Sequence, residues 1–301
     1  MCQSYFYCLG NVSVIDLVGD DSDAIAHTLT TNEMKSLRVG QGRETFVTDV
    51  KGKTLGHGSF FRTDDGFRFI GAAGQSGRLR THADRYIIRE DCQLSLRDDD
   101  FVAIVFPDPG CLGLAELCHP SHADAVTTTI GSSLVSVYGV RWTGNQSCVA
   151  MVAAEAAEST TQALSASGMT AVDAAGFHRD RVSVGYPWYG VDLDEKNLPQ
   201  EADRDESAIS FTKGCYLGQE TVARLDAMGQ VQRKLVRWQI TGDPPAAGVT
   251  LDADGKTVGR LTSVAEFADG RCEAIGFARR SHFVPGASAQ GHGFTGTVLA
   301  E

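Results

Sequence analysis

Apolar and polar positions alternate with a period of two along Val12 to Val18. The turn residues Gly19-Asp20-Asp21-Ser22 then open a helix over Ala24-Ile25-Ala26-His27-Thr28-Leu29, with Asp21 and Ser22 available as caps. Two further strands are predicted at Glu44 to Asp49 and Thr54 to Arg62 around a Lys51-Gly52-Lys53 turn. Asp64-Asp65-Gly66 is a hairpin signal leading into a third at Phe67 to Gly71, so residues 44–71 form an antiparallel meander. Leu79, Ala83, Tyr86 and Ile87 recur at the spacing of an amphipathic helix across Ser76 to Ile88, and Cys92 to Leu96 returns to alternation. Phe101 to Phe106 is a short apolar strand stopped by Pro107-Asp108-Pro109-Gly110, the clearest linker-like punctuation of the first half. Beyond it, the pattern predicts strands at Leu134 to Val140 and Cys148 to Val152, then helices at Ala153 to Ser167 and Thr170 to Arg179. Two strand and helix sets interrupted by a meander describe an α+β body in which one domain is split by another. After Gln230, short strands alternate with Gly242-Asp243-Pro244-Pro245, Asp254-Gly255 and Asp269-Gly270, the pattern of a small antiparallel barrel.

Composition narrows the function classes. The chain has 301 residues, 42% hydrophobic and 22% charged, which is ordinary for a globular protein of two or three domains. No run approaches the roughly 18 apolar residues of a membrane span. Met1 to Cys8 has neither a basic start nor a long apolar core, so no signal peptide is expected and a cytoplasmic location follows. A net charge of -11 makes the surface as a whole repel polyanions, which argues against direct nucleic-acid binding and against anionic membrane as partner. Arg224, Arg233, Lys234 and Arg237 crowd together and form either a local basic pocket or a solvated face. The eight cysteines are scattered without a C-x-x-C pair and are expected reduced. Cys111, Cys118, His119 and His122 come nearest to a ligand set, but their spacing matches no standard zinc pattern, and no metal is expected.

The most distinctive stretch is Phe211-Thr212-Lys213-Gly214-Cys215-Tyr216-Leu217-Gly218-Gln219-Glu220. Gly214 would let the backbone take positive φ beside the sulfur, and Gly218 frees a second point three residues on. Lys213 adds a cation that favours the thiolate, the form that attacks electrophiles. A single cysteine is also commonly a small buried hydrophobe, so both readings of Cys215 stand at this point.

This decapeptide, with Val222-Ala223-Arg224 and the Gly229 to Leu235 stretch, resembles the YgfZ family, folate-binding iron–sulfur maintenance proteins related to the glycine-cleavage T protein, GcvT. Leu29-Thr30-Thr31-Asn32, Gly40-Gln41-Gly42, Asp49-Val50-Lys51-Gly52-Lys53 and Tyr186-Pro187-Trp188-Tyr189-Gly190 resemble further landmarks of that family, in order. The resemblance implies an α+β, GcvT/YgfZ-like three-domain ring with ferredoxin-like domains: a folate-binding domain from residues 1–48 plus 112–233, an inserted domain at 49–111, and a β-barrel at 234–301. It implies a central cavity for tetrahydrofolate, and Cys215 and Lys213 as the chemically active pair. Folate contacts are implied at Tyr186, Trp188, Tyr189, Tyr216, Gln219, Glu220, Arg224 and His57, and iron–sulfur client proteins as partners. The aromatic residues are equally suited to core packing. His57 is open between a surface hairpin histidine and a ligand-contacting or pH-sensitive one.

Two positions depart from the T-protein pattern. Where that protein has an acidic pair after the glycine resembling Gly52, this chain has Gly56 and His57; where it has a glutamate after the arginine resembling Arg181, this chain has Ser183. Glycine cannot stabilise positive charge at a transfer centre, and one hydroxyl is a poor substitute for a bidentate carboxylate. The resemblance therefore implies a folate-dependent accessory protein for iron–sulfur clusters. The alternatives are a folate-dependent aminomethyltransferase and a binding module that has lost folate.

Overall fold

The computed structural model describes residues 4–229 and 231–300; Met1 to Gln3, Gln230 and Glu301, and with them the readings made on Cys2 and on the first residues, lie outside it. Eleven strands join one sheet: β1 (Tyr5–Gly10), β2 (Ser13–Val18), β3 (Gln41–Thr48), β4 (Thr54–Arg62), β5 (Gly66–Gly71), β6 (Gln93–Leu96), β7 (Phe101–Phe106), β8 (Ala123–Ile130), β9 (Ser133–Gly139), β10 (Cys148–Ala153) and β11 (Thr170–Val172). Their order is β11-β1-β7-β10-β9-β8-β3-β4-β5-β2-β6. The sheet is two leaves held at a narrow seam, because β3 and β8 pair only through Gln41 with Asp124 and Gly42 with Ala123.

Helices α1 (Ser22–Leu29) and α2 (Ser76–Ala83) cover the β2 to β6 leaf, where Ile25, Leu29 and Leu79 pack with Ile15, Leu17, Phe60, Phe67 and Phe69. Helices α3 (Ala157–Ala166) and α4 (Ala174–Ser183) serve the other leaf through Leu164 and through Phe177 and Val182. Two more, α5 (Asp205–Ala208) and α6 (Gln219–Met228), flank the cysteine motif. Strands β12 (Arg233–Gly242), β13 (Thr250–Ala253), β14 (Lys256–Glu266), β15 (Cys272–Arg279), β16 (Ser288–Gly291) and β17 (Phe294–Val298) close a barrel in the order β12-β15-β14-β13-β16-β17. Trp238, Leu251 and Leu261 fill it. The expected antiparallel barrel is therefore present.

A buried carboxylate, Asp192, helps to dock the barrel. Asp192 Oδ1 accepts from Thr262 Oγ1 at 2.5 Å and Ser263 Oγ at 2.7 Å, while Oδ2 accepts from Arg181 Nη1 at 2.7 Å and the Trp188 amide at 2.8 Å. Satisfying every lone pair is what makes such burial tolerable.

Several local expectations need correction. Thr170 to Val172 are strand, not helix, because they pair parallel to Tyr5 to Tyr7; the helix starts at Ala174, capped by Asp173, whose side chain accepts from the Gly176 amide at 2.9 Å. The helix predicted over Ser76 to Ile88 stops at Ala83. Strands β1 and β8 had no predicted counterpart. Pro107 to Gly110 ends β7 without leaving the sheet, since Phe106 pairs with Cys148. No described helix is long and apolar enough to cross a membrane.

Candidate functional site

A cavity of about 570 Å³ lies where the two leaves meet, lined among others by Asn32, Glu44, Arg141, Tyr186 and residues 209–213. Its rim is the first part of the cysteine motif. Lys213 is buried, and its Nζ donates to the carbonyls of His27, Thr30 and Asn32, each at 2.7 Å. Those carbonyls stand at and just beyond the C-terminal end of α1, where backbone acceptors have no helical partner. Burial pushes the Lys213 ammonium down to about 7, against its attraction to Glu33. Lys213 thus gives its three N–H donors to backbone oxygens, which leaves none for a hydrogen bond to a thiolate.

The rest of the loop is stitched to the same places. The Leu217 amide donates to the Thr28 carbonyl at 2.9 Å, and Thr48 Oγ1 donates to the Leu217 carbonyl at 2.6 Å. Gly218 has φ +78°, and a Cβ there would come within 2.5 Å of Gly52 Cα, so the Lys51-Gly52-Lys53 turn and the motif meet glycine to glycine. Gly214 corrects an expectation: it is absent from the left-handed region, and a Cβ on it would make an ordinary 3.5 Å contact with His27 Nε2. Cys215 is exposed, which removes the buried-hydrophobe reading; it does not line the cavity but stands two residues past the rim.

The opposite wall is charged and closed. Glu44 on β3 accepts from Arg204 Nε at 2.9 Å and Nη2 at 2.6 Å, and its Oε1 lies 2.8 Å from His57 Nε2 on β4. Burial alone would raise the Glu44 carboxyl; the Arg204 guanidinium and the His57 ring overcome it and hold the group well below the usual carboxylate range. His57 is 2% exposed, stacked between Phe46 at 4.6 Å and Tyr186 at 5.5 Å. It is therefore not a surface hairpin histidine: β4 is buried on both faces here, and the ring lies behind Glu44, which lines the cavity. Arg204 also lies over the Tyr186 ring at 5.2 Å.

The other expected contacts are dispersed. Of the residues anticipated for folate, Tyr186 alone lines this cavity. Trp188 packs edge-on against Trp142 at 5.2 Å and Phe177 at 5.1 Å, an arrangement worth about 0.5–1.5 kcal/mol per pair beyond burial. The Tyr189 hydroxyl donates to the Thr54 carbonyl at 3.2 Å, and Tyr216 sits under Lys213 Nζ at 5.0 Å with its phenol pushed up to about 12 by burial. Gln219, Glu220 and Arg224 lie on α6, where Glu220 and Arg224 face outward. Ser183 donates to the Asp180 carbonyl at 2.7 Å, its hydroxyl turned back on its own helix. Sequence reasoning missed Glu44, Arg204, Arg141 and Arg43. The one signal for Glu44 was an acid inside an otherwise buried strand.

No protein-family model matches the chain. Over 271 residues it is 23% identical to the tRNA-modifying protein YgfZ of Klebsiella pneumoniae, a match covering 87% of this chain and 81% of that one. With the matches that follow, this similarity supports a YgfZ/GcvT-like family for the chain. The human mitochondrial iron-sulfur cluster assembly factor IBA57 is 36% identical over 92 residues, 28% of this chain and 26% of the human one. A chloroplastic Arabidopsis thaliana protein that bears a transferase name is 25% identical over 275 residues, 85% of this chain; the match spans 60% of that protein's length. The glycine cleavage system aminomethyltransferase T of Bartonella henselae superposes with a TM-score of 0.83 at 16% identity, covering 99% of this chain and 85% of that one, which places the GcvT-like fold. The link to iron–sulfur cluster biology rests on the relatives' names.

Proposed function

We propose that the protein is a tetrahydrofolate-binding accessory factor for iron–sulfur cluster assembly or repair, with Cys215 as its working thiol and iron–sulfur client enzymes as partners. The observation that carries the reading is the cavity itself. About 570 Å³ is ample for a flat bicyclic ring, with Tyr186 as an apolar face and Asn32, Arg43 and Arg141 as polar groups on the lining. The motif supplies the rim, so a ligand there would sit beside the loop that presents Cys215 to solvent. The match to an iron-sulfur assembly factor supports the client class.

Aminomethyl transfer is the weaker reading. The carboxylate nearest His57 is Glu44, and its oxygens already accept from Arg204 and face His57, so it is not free to stabilise a cationic amine. Anaerobic calorimetry with tetrahydrofolate tests the proposal: binding in the micromolar range is expected, and no heat at millimolar ligand would overturn it. A glycine-cleavage assay with lipoylated carrier should give no turnover; a robust rate would restore the transferase reading.

A further inference from the structure

Beside the cavity mouth, residues 117–124 fold into a tight hairpin around Pro120-Ser121. The His119 amide donates to the His122 carbonyl at 2.8 Å and the Asp124 amide to the Leu117 carbonyl at 2.7 Å, with Cys118 opposite Ala123. Alternation across these pairs puts His119, His122 and Asp124 on one face and Cys118 on the other. Cys118 is accordingly buried, its thiol directed at the Val140 carbonyl at 3.3 Å. The nearest grouping of ligand types along the chain, for which no metal is expected, is thus replaced by another: the cysteine drops out and an aspartate enters.

We propose that His119, His122 and Asp124 form a site for a borderline divalent first-row ion such as Zn²⁺ or Co²⁺. Asp124 Oδ2 lies 2.9 Å from His119 Nε2, and Oδ1 lies 3.4 Å from His122 Nε2. All three donor atoms fall within 4.8 Å of one another. Ligands at about 2.0–2.1 Å from a tetrahedral zinc stand roughly 3.4 Å apart, so the two imidazoles need only draw together over the carboxylate. Two imidazoles and one carboxylate select such ions over Mg²⁺ or Ca²⁺, which prefer oxygen. Ser121 Oγ, 3.0 Å from His122 Nδ1, fixes that ring by its far nitrogen, and Arg141 Nη2, 2.6 Å from the His119 carbonyl, ties down the other arm. Three protein ligands leave a fourth position, and because His122 lines the cavity that position opens toward it. The site stands on its own residues and does not depend on the folate reading.

The full chain, free of any affinity tag and stripped with chelator, is titrated with CoCl₂ and then ZnCl₂ near neutral pH. The expected result is one ion per chain in the micromolar range or tighter, a visible Co²⁺ d–d band abolished by Zn²⁺ but untouched by millimolar Mg²⁺, and Zn²⁺-induced shifts of the His119 and His122 ring nitrogens by NMR. His122→Asn and Asp124→Asn should each weaken Zn²⁺ at least tenfold, while Cys215→Ser leaves it unchanged. The NMR readout on the unaltered chain decides the matter if a variant loses its fold. No d–d band at about 100 µM free Co²⁺, unshifted ring nitrogens, or affinity that survives both substitutions would overturn the site and leave a hydrogen-bonded His–Asp–His cluster.

Discussion

The two sides of the cavity are built on opposite principles. On the wall, Arg204 and His57 are both bonded to Glu44, with Tyr186 stacked against the set, and little of any of them meets water. On the rim, one residue, Gly214, separates a lysine locked to three carbonyls from a cysteine in solvent. The wall fixes shape and charge, and it can do neither if one member leaves. The rim holds its backbone rigidly so that a single side chain can stay free. A motif of ten residues therefore contains both a fastened side chain and a free one, and the lysine is the fastener.

The largest effect that can break this comparison is on the wall. Glu44→Gln leaves Arg204 with an uncompensated charge, and a loss of about 3–5 kcal/mol is expected in urea unfolding. A loss under 1 kcal/mol would show that the pair does not hold the wall. Because the Glu44 carboxyl is depressed in the folded state, its advantage is complete above the unfolded-state value of about 4.3 and fades as pH falls toward the folded value; the gap between wild type and variant should shrink in acid.

The rim comes next. Lys213→Met removes the donor from three carbonyls and should cost about 2–3 kcal/mol, with Leu217 and the α1 terminus losing hydrogen-exchange protection first. Burial lowers Lys213 from about 10.4 in the unfolded chain to about 7, so between those values the unfolded state carries more protons and wild-type stability rises with pH. A stability difference between wild type and Lys213→Met that stays flat from pH 7 to 10 would contradict that shift.

The smallest structural effect is expected at Cys215. Cys215→Ser should change stability by no more than about 0.5 kcal/mol, because the side chain is exposed, yet abolish support of iron–sulfur client enzymes in cells. Full rescue by this variant would make the sulfur dispensable and the rim a purely structural device.

The parts that were legible in the sequence were local. The β3 to β5 meander followed from alternation and turn residues, and the barrel from regularly spaced turns. β1 was missed because Tyr5-Phe6-Tyr7-Cys8-Leu9 is a continuous apolar run without period, and β8 because Thr127-Thr128-Thr129 blurs its alternation. Thr170 to Val172 are strand only by virtue of a partner at the other end of this part of the chain, Tyr5 to Tyr7. At the site, the motif pointed to Cys215, and the Tyr-Pro-Trp-Tyr run contained Tyr186. Nothing local could join Glu44 to Arg204, 160 residues apart, or show that His57 sits beside a carboxylate from the neighbouring strand. The hairpin at Pro120-Ser121 makes the same point in miniature, since chain spacing grouped Cys118 with the histidines while strand alternation separates them.

The ammonium that closes the end of α1 is contributed from 183 residues beyond Thr30. During synthesis, that first helix therefore waits with bare acceptors until most of the polypeptide has emerged. Completion of the amino-terminal leaf and presentation of the thiol become a single late event, so a half-made or truncated copy displays no correctly set sulfur.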